Sequence, residues 1–159
     1  VPTVSLESPR GSDVLPLLQQ ADDYALSLYP AENYHGLDVD SLDRSEVAFF
    51  VARVDGMALG TAAIVDRGDG SAELKRMFVT AEARGLGVGR ALLDAAEAHA
   101  IDRGATVMLL ETGLPQAAAI ALYERAGYSA IPRFDAYVDD PTSYCMEKRL
   151  PPRPLAPVE

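Results

Sequence analysis

The segment Arg84-Gly85-Leu86-Gly87-Val88-Gly89-Arg90 constrains this chain most. It follows a strand-like run, Ala72 to Val79, and opens a helix-like run, Val88 to Arg103. Alternating glycines leave no Cβ in the way, so a ligand can approach the backbone closely. A helix start carries N–H groups without intrahelical partners and the positive end of the helix dipole. A strand, a glycine turn and a helix in that order therefore form an anion site, suited to a phosphate or diphosphate.

Two well-known glycine loops fail on spacing. The dinucleotide pattern G-x-G-x-x-G, counted from Gly85, needs a third glycine where Arg90 stands. A Walker A loop needs its second glycine at the same place, followed by Lys-Ser or Lys-Thr, and neither is there. The pattern that fits is R-x-x-G-x-G, with Arg84, Gly87 and Gly89 in the fixed places.

Further along, Leu109-Leu110-Glu111-Thr112 reads as a strand, followed by Pro115-Gln116-Ala117-Ala118-Ala119-Ile120-Ala121-Leu122-Tyr123-Glu124-Arg125-Ala126-Gly127-Tyr128. Together the two stretches resemble the acetyl-CoA signature of the GCN5-related N-acetyltransferases (GNAT), whose second pattern is N-x-x-A-x-x-L-Y-x-x-x-G-[FY]. Ala119, Leu122, Tyr123, Gly127 and Tyr128 stand in register, while Gln116 replaces the Asn. The resemblance spans about residues 46 to 149. It extends to a bacterial branch through Leu28-Tyr29-Pro30, His35 and Leu37-Asp38.

The resemblance implies a fold, a cofactor and roles. The fold is an α/β GNAT fold, a mixed and mostly antiparallel sheet with a central parallel strand pair flanked by helices. The co-substrate is acetyl-CoA. Its diphosphate would lie on the amides of Leu86, Gly87, Val88, Gly89 and Arg90, with Arg84 and Gly85 also in the cofactor-binding loop and Arg84 adding charge at its start. Its pantetheine arm would run along Met77, Phe78 and Val79, with the Val79 amide near the thioester carbonyl and Gln116 and Ala119 alongside. Tyr123 would protonate the departing thiolate. Glu73 stands at the offset from Arg84 of the catalytic glutamate in histone acetyltransferases, which makes it the expected base. Tyr34, His35, Glu111, Asp135 and Tyr137 are expected on the acceptor side. The activity implied is direct acetyl transfer to a primary amine of a small molecule or protein. A non-catalytic acyl-CoA sensor, or a transferase using another acyl-CoA, is the alternative.

The residues alone give a compatible order of elements. Thr3 to Leu6 alternates as a first strand. Ser12 is placed to cap a helix reaching Leu28, with Leu15, Leu18, Tyr24 and Leu28 as its buried side. A short helix is expected within Leu37 to Arg44. Asp55-Gly56 between apolar runs predicts a hairpin, Glu46 to Val54 and Met57 to Val65. Turns at Gly68-Asp69-Gly70 and Gly104 lead to strands at Ala72 to Val79 and Thr106 to Glu111, and the helix between them should bury Leu92, Ala95, Ala96 and His99. Tyr128 to Ile131 and Ser143 to Lys148 read as the last strands. One domain covers 1–150, and Pro151 onward (151–159) reads as a proline-rich tail.

Composition narrows the function classes. The net charge of −10 disfavours nucleic acid as a partner. Between Lys75 and Arg90, however, four cations face only Glu82, a local surplus that suits an anionic cofactor. Cys145 is the single cysteine, so no internal disulfide forms. No apolar run has membrane-spanning length and no signal-peptide pattern opens the sequence, so a cytoplasmic setting is expected. His35, His99 and Cys145 lack metal-ligand spacing, so no metal site is expected. Pairing of two copies through a sheet edge stays open.

Overall fold

The computed structural model describes residues 1–154; the rest of the expected tail, 155–159, lies outside the described residues. The strands are β1 (Thr3–Leu6), β2 (Val47–Val54), β3 (Met57–Asp66), β4 (Ser71–Val79), β5 (Val107–Gly113), β6 (Ser129–Ile131) and β7 (Ser143–Arg149). They form a single sheet in the order β1-β2-β3-β4-β5-β7-β6. Every neighbouring pair is antiparallel except β4 and β5. Helices α1 (Leu15–Leu28) and α2 (Val39–Leu42) precede β2; α3 (Val88–Asp102) joins β4 to β5; α4 (Ala117–Arg125) follows β5. This is the mixed α/β sheet with a central parallel pair that the sequence pattern implied.

Alternation of side chains divides the core into two layers. On one face Leu74, Met108, Leu110 and Met146 pack with Leu92, Leu93 and Ala96 of α3 and with Tyr123 and Ala126 of α4. On the other face Phe49, Val51 and Ala63 pack with Val14 and Leu18 at the start of α1 and with Leu42 of α2. The hairpin turn works as its sequence dictates: Asp55 and Gly56 both take positive φ, 51° and 80°, the conformation of a type I′ turn.

Three expectations need correction. Ser12 does not cap α1; the N-cap is Val14, without a side-chain cap, and Pro16 sits in the first turn where its missing N–H costs nothing. The buried side of α1 is Leu17 and Leu18, whereas Leu15, Tyr24 and Leu28 are exposed. Asp22, in the middle of α1, still reaches Arg76 of β4, but Tyr24 and Leu28 beyond it stand in solvent. His99 is half-buried at the edge of the Phe50 ring, 5.5 Å between centroids, rather than in the core.

α3 lies close to the sheet because Gly60 of β3 has no side chain. A Cβ there would stand 2.9 Å from the Phe78 carbonyl oxygen, 2.9 Å from Val88 Cγ1 and 3.0 Å from Leu92 Cδ1. The start of α3, and with it the glycine loop, is thereby set against the end of β4. Gly60→Ala is expected to lower stability by about 1–3 kcal/mol, as overpacking does, read as a lower midpoint in thermal unfolding. An unchanged midpoint would show that α3 can back away freely.

Candidate active site

β4 and β5 pair from Ser71/Val107 to Leu74/Leu110 and no further. β4 nevertheless continues to Val79 and β5 to Gly113. Past Leu74 and Leu110 the two strands run on without hydrogen bonds between them, leaving an opening in the middle of the sheet. A β-bulge marks the same place. Thr61 opposes Phe78 and Ala63 opposes Lys75, so the β3 partner between them faces two residues, Arg76 and Met77. Arg76 has φ of 54°, a left-handed conformation costly for a residue with a Cβ. It is held by Thr61 Oγ1, which donates to the Arg76 carbonyl at 2.8 Å, and by its own guanidinium. That guanidinium donates to the Leu37 carbonyl at 2.8 Å and pairs with Asp22 of α1 at 2.7 Å. The bulge resets the alternation: Ala72 and Leu74 before it, and Met77 and Val79 after it, all join the α3-side core.

The glycine loop stands at the wide end of this opening. Gly85 and Gly87 have φ of 82° and 77°, values that side chains disfavour. Gly87 is the N-cap of α3 and supplies no capping side chain. Among the described residues, none accepts a hydrogen bond from the backbone N–H of Gly85, Gly87, Val88, Gly89 or Arg90; the Leu86 N–H donates to Ala83 at 3.2 Å. A Cβ on Gly89 would come 3.2 Å from Leu122 Cδ2, which ties the loop to α4. The expected local surplus of side-chain charge is smaller than counted. Arg76 and Lys75 turn to the opposite side, and Arg90 pairs with Asp94 at 3.0 Å. Free amides at a helix start, with Arg84 nearby, are what remains to attract an anion.

The α1-side face of the opening is lined by a buried polar cluster. Tyr137 donates to Glu73 Oε2 at 2.6 Å, and Lys75 Nζ donates to Tyr137 Oη at 2.6 Å and to the His35 carbonyl at 2.9 Å. Glu73 is also 3.5 Å from Arg67 and 3.8 Å from Lys75. Burial pushes the Lys75 ammonium below its ordinary pKa, against the pull of Glu73 and Glu111. His35 packs edge-on to Tyr137, 4.9 Å between centroids, and its Nε2 lies 2.8 Å from Asp140 Oδ2. Asp140 also accepts from Asn33 (2.8 Å) and from the Thr142 hydroxyl (2.6 Å) and amide (2.9 Å). Burial alone would raise its pKa; the bonds from Thr142, His35 and Asn33 outweigh that and hold it well below the usual carboxylate range.

Two groups approach the opening from opposite sides. Glu111 follows the last paired residue of β5 and faces away from α3; Ser143 donates to one of its oxygens at 2.7 Å. Burial raises its pKa, against that bond and the charges of His35 and Lys75. Tyr123 comes from α4 on the other face. It is buried at 4% exposure, and its hydroxyl has no hydrogen-bond partner among the described residues. Burial pushes the phenol up, and the charge of Glu111 adds to the rise.

The remaining predicted residues divide. Gln116 donates to Tyr29 Oη at 3.1 Å, and that hydroxyl lies where a Cβ on Gly113 would be. Tyr34 donates to Asp22, the carboxylate that holds Arg76, and burial raises its pKa. Asp135 pairs with Arg67 at 2.6 Å on the rim. Sequence reasoning missed Lys75, Arg67, Tyr29 and Asp140 as site-lining residues. Only Lys75 left a signal, its i, i+2 spacing from Glu73. Two cavities, of about 490 and 240 Å³, lie at the other end of the sheet and share His99 and Arg103, away from the glycine loop. Among the described residues no group of three or more His, Cys, Asp or Glu could hold a metal ion, and no helix is long and apolar enough to cross a membrane.

The opened parallel pair with a glycine loop at its mouth defines a class. Residues 15–128 match the sequence model of the Acetyltransferase (GNAT) family. The chain belongs to that family. A relative from Azospirillum brasilense, named an IAA acetyltransferase, is 43% identical over 149 residues, covering 93% of this chain and 97% of that one. A Klebsiella pneumoniae protein assigned to the acyl-CoA N-acyltransferases superimposes with a TM-score of 0.80 at 34% identity, over 94% of this chain and 98% of that one. The PaiA N-acetyltransferase of Thermoplasma acidophilum, solved with coenzyme A, shares the fold at a TM-score of 0.73 and 16% identity, over 94% and 99% of the two chains.

Asp140 ties the 31–35 segment to the 132–142 segment, so its charge should matter to stability. Its folded pKa lies below the unfolded value, so its contribution is complete above about pH 4 and is lost as pH falls further. Asp140→Ala is expected to unfold at clearly lower temperature than the parent at pH 7, with the difference shrinking below about pH 4. A difference independent of pH would mean that the Asp140 charge contributes nothing.

Proposed function

We propose that the chain is an N-acetyltransferase that moves an acetyl group from acetyl-CoA to a primary amine in a ternary complex. One observation carries this reading: free amides at the start of α3 stand at the end of a gap between β4 and β5 that opens past Leu74 and Leu110, with Glu111 the next residue of β5. The amides of residues 85 and 87–90 would bind the diphosphate. The unpaired edge of β4, Met77 to Val79, would hydrogen-bond the pantetheine arm, and the Val79 amide would polarise the thioester carbonyl. Ala119 and Gln116 flank the arm at the start of α4.

Two proton movements complete the transfer. The attacking amine must lose a proton, and the departing thiolate must gain one. Tyr123 is the donor to sulfur: its phenol is kept neutral by burial, and its hydroxyl has no competing partner among the described residues. For the base, the geometry favours Glu111 over Glu73. The Glu73 carboxylate is covered by Tyr137 and neighboured by Arg67 and Lys75, whereas Glu111 keeps one oxygen without a hydrogen-bond partner among the described residues. Its raised pKa suits a group that takes a proton from an ammonium. Glu73 then acts at one remove, fixing Tyr137 and Lys75 on the acceptor side with His35. The acceptor is a primary amine of a small molecule or a protein, with Tyr34 and Asp135 on the acceptor side.

The reading is tested by release of coenzyme A thiol over a panel of amines, and separately with IAA, which names the Azospirillum relative. Tyr123→Phe should lower kcat by about 10²-fold or more while acetyl-CoA affinity is retained. Glu111→Gln should lower kcat/KM most above the raised pKa of Glu111, where the parent carboxylate is ionised, and should flatten the acid limb of the pH profile, and Glu73→Gln should act mainly on acceptor KM. Full turnover in Tyr123→Phe would remove that residue from the chemistry. Binding of acetyl-CoA without turnover on any amine would favour a sensor.

A further inference from the structure

The chain holds only two lysines, Lys75 and Lys148, against twelve arginines. Their surroundings differ sharply. Lys148 Nζ pairs with Glu97 of α3 at 2.7 Å and sits over the Tyr128 ring at 5.8 Å. Lys75 is the first residue of β4 past its last pairing with β5, on the face that Glu73 shares, and so lies at the opening itself. Its Nζ has two good acceptors, the His35 carbonyl at 2.9 Å and Tyr137 Oη at 2.6 Å, with Glu73 a distant third at 3.8 Å. An ammonium has three N–H donors and a neutral amine two. The environment therefore satisfies the neutral amine, and burial lowers the pKa in the same direction. The side chain still keeps 12% exposure.

We propose that Lys75 is a self-acetylation site, modified within the same chain when acetyl-CoA is bound and no better acceptor fills the cleft. The inference rests on the acetyl-CoA reading above. The Nζ lone pair attacks the thioester carbonyl carbon, forming the N–C bond as the C–S bond breaks. Sulfur takes its proton from the Tyr123 hydroxyl, and the proton lost from Nζ passes to the Glu111 carboxylate. Proton return from Glu111 to Tyr123 through water balances the step, and the products are Nε-acetyl-Lys75 and free coenzyme A. The amide is stable, so this is an end point rather than an intermediate. It leaves one N–H where two acceptors stood and removes the capacity of Nζ to take up a proton beside Glu73. The tie between the 35 and 137 segments loosens, and further transfer is restrained when acceptor is scarce.

The test needs no knowledge of the natural acceptor. The full chain is incubated with acetyl-CoA carrying an isotopically heavy acetyl group, and label is mapped by peptide mass spectrometry; acetyl-CoA binding is measured in parallel by calorimetry. One heavy acetyl per chain is expected on Lys75, with Lys148 unlabelled, the labelling rate independent of protein concentration and about tenfold or more lower in Tyr123→Phe. Lys75→Arg should bind acetyl-CoA and take no label. Binding with Lys75 unlabelled would overturn the proposal and leave the transferase reading standing. Equal labelling of both lysines, or a rate unaffected by Tyr123→Phe, would show ordinary chemical acetylation and overturn it too. Absence of acetyl-CoA binding would remove the transferase reading and this inference together.

Discussion

The molecule is organised by a pairing that stops. β4 and β5 are hydrogen-bonded neighbours as far as Leu74 and Leu110, and then each continues with an unsatisfied edge. Unpaired backbone groups inside a sheet are costly unless something else meets them. The bulge at Arg76 stands where the strands part, and its left-handed backbone is held from three directions: Thr61 on β3, Leu37 before α2 and Asp22 on α1. An arginine is an unlikely choice for positive φ on conformational grounds. Its reach explains it, because only a long cation can bond a carbonyl and a carboxylate from two different elements at once. α1 and the 34–38 segment thus serve as buttresses of the opening as much as parts of the core.

Electrostatics at the site follow from backbone direction more than from residue charge. The chain carries a net charge of −10, and three of the four cations around the loop are committed elsewhere, Lys75 and Arg76 on the far face and Arg90 to Asp94. An anionic ligand is served by N–H groups whose positions are fixed by the glycines and by the close seat of α3 on Gly60. The far side of the opening has the opposite character. Glu73 stands beside a single buried lysine there and accepts from Tyr137, while His35 bonds Asp140 and Ser143 bonds Glu111. One side suits a phosphate-bearing donor and the other an amine.

Much of the fold was legible because local signals agreed with one another. Asp55-Gly56 could only turn one way, the glycine loop had to stand between strand and helix, and Gly127 had to end α4. The candidate site was legible where it is made of backbone, as at residues 84–90, or where a helix register fixes a side chain, as at Tyr123. It was not legible where chain segments distant in sequence meet. Nothing near Asp140 announces that Asn33 and His35 will reach it, and nothing in Glu-Leu-Lys-Arg announces that the fourth residue bulges and turns toward α1. The predicted buried face of α1 failed for a related reason: periodicity shows that a helix has apolar residues on a side but not which of them neighbouring elements cover, and here Leu17 and Leu18 are buried while Leu15, Tyr24 and Leu28 are not.

The most direct test follows the backbone amide resonances of the 15N-labelled chain while acetyl-CoA is added. The account predicts saturable binding in which the signals of Gly85, Gly87, Val88, Gly89 and Arg90 move most, followed by those of Met77 to Val79 along the open edge of β4. Shifts confined to the cavities beside His99, or no saturable shifts at all, would contradict it.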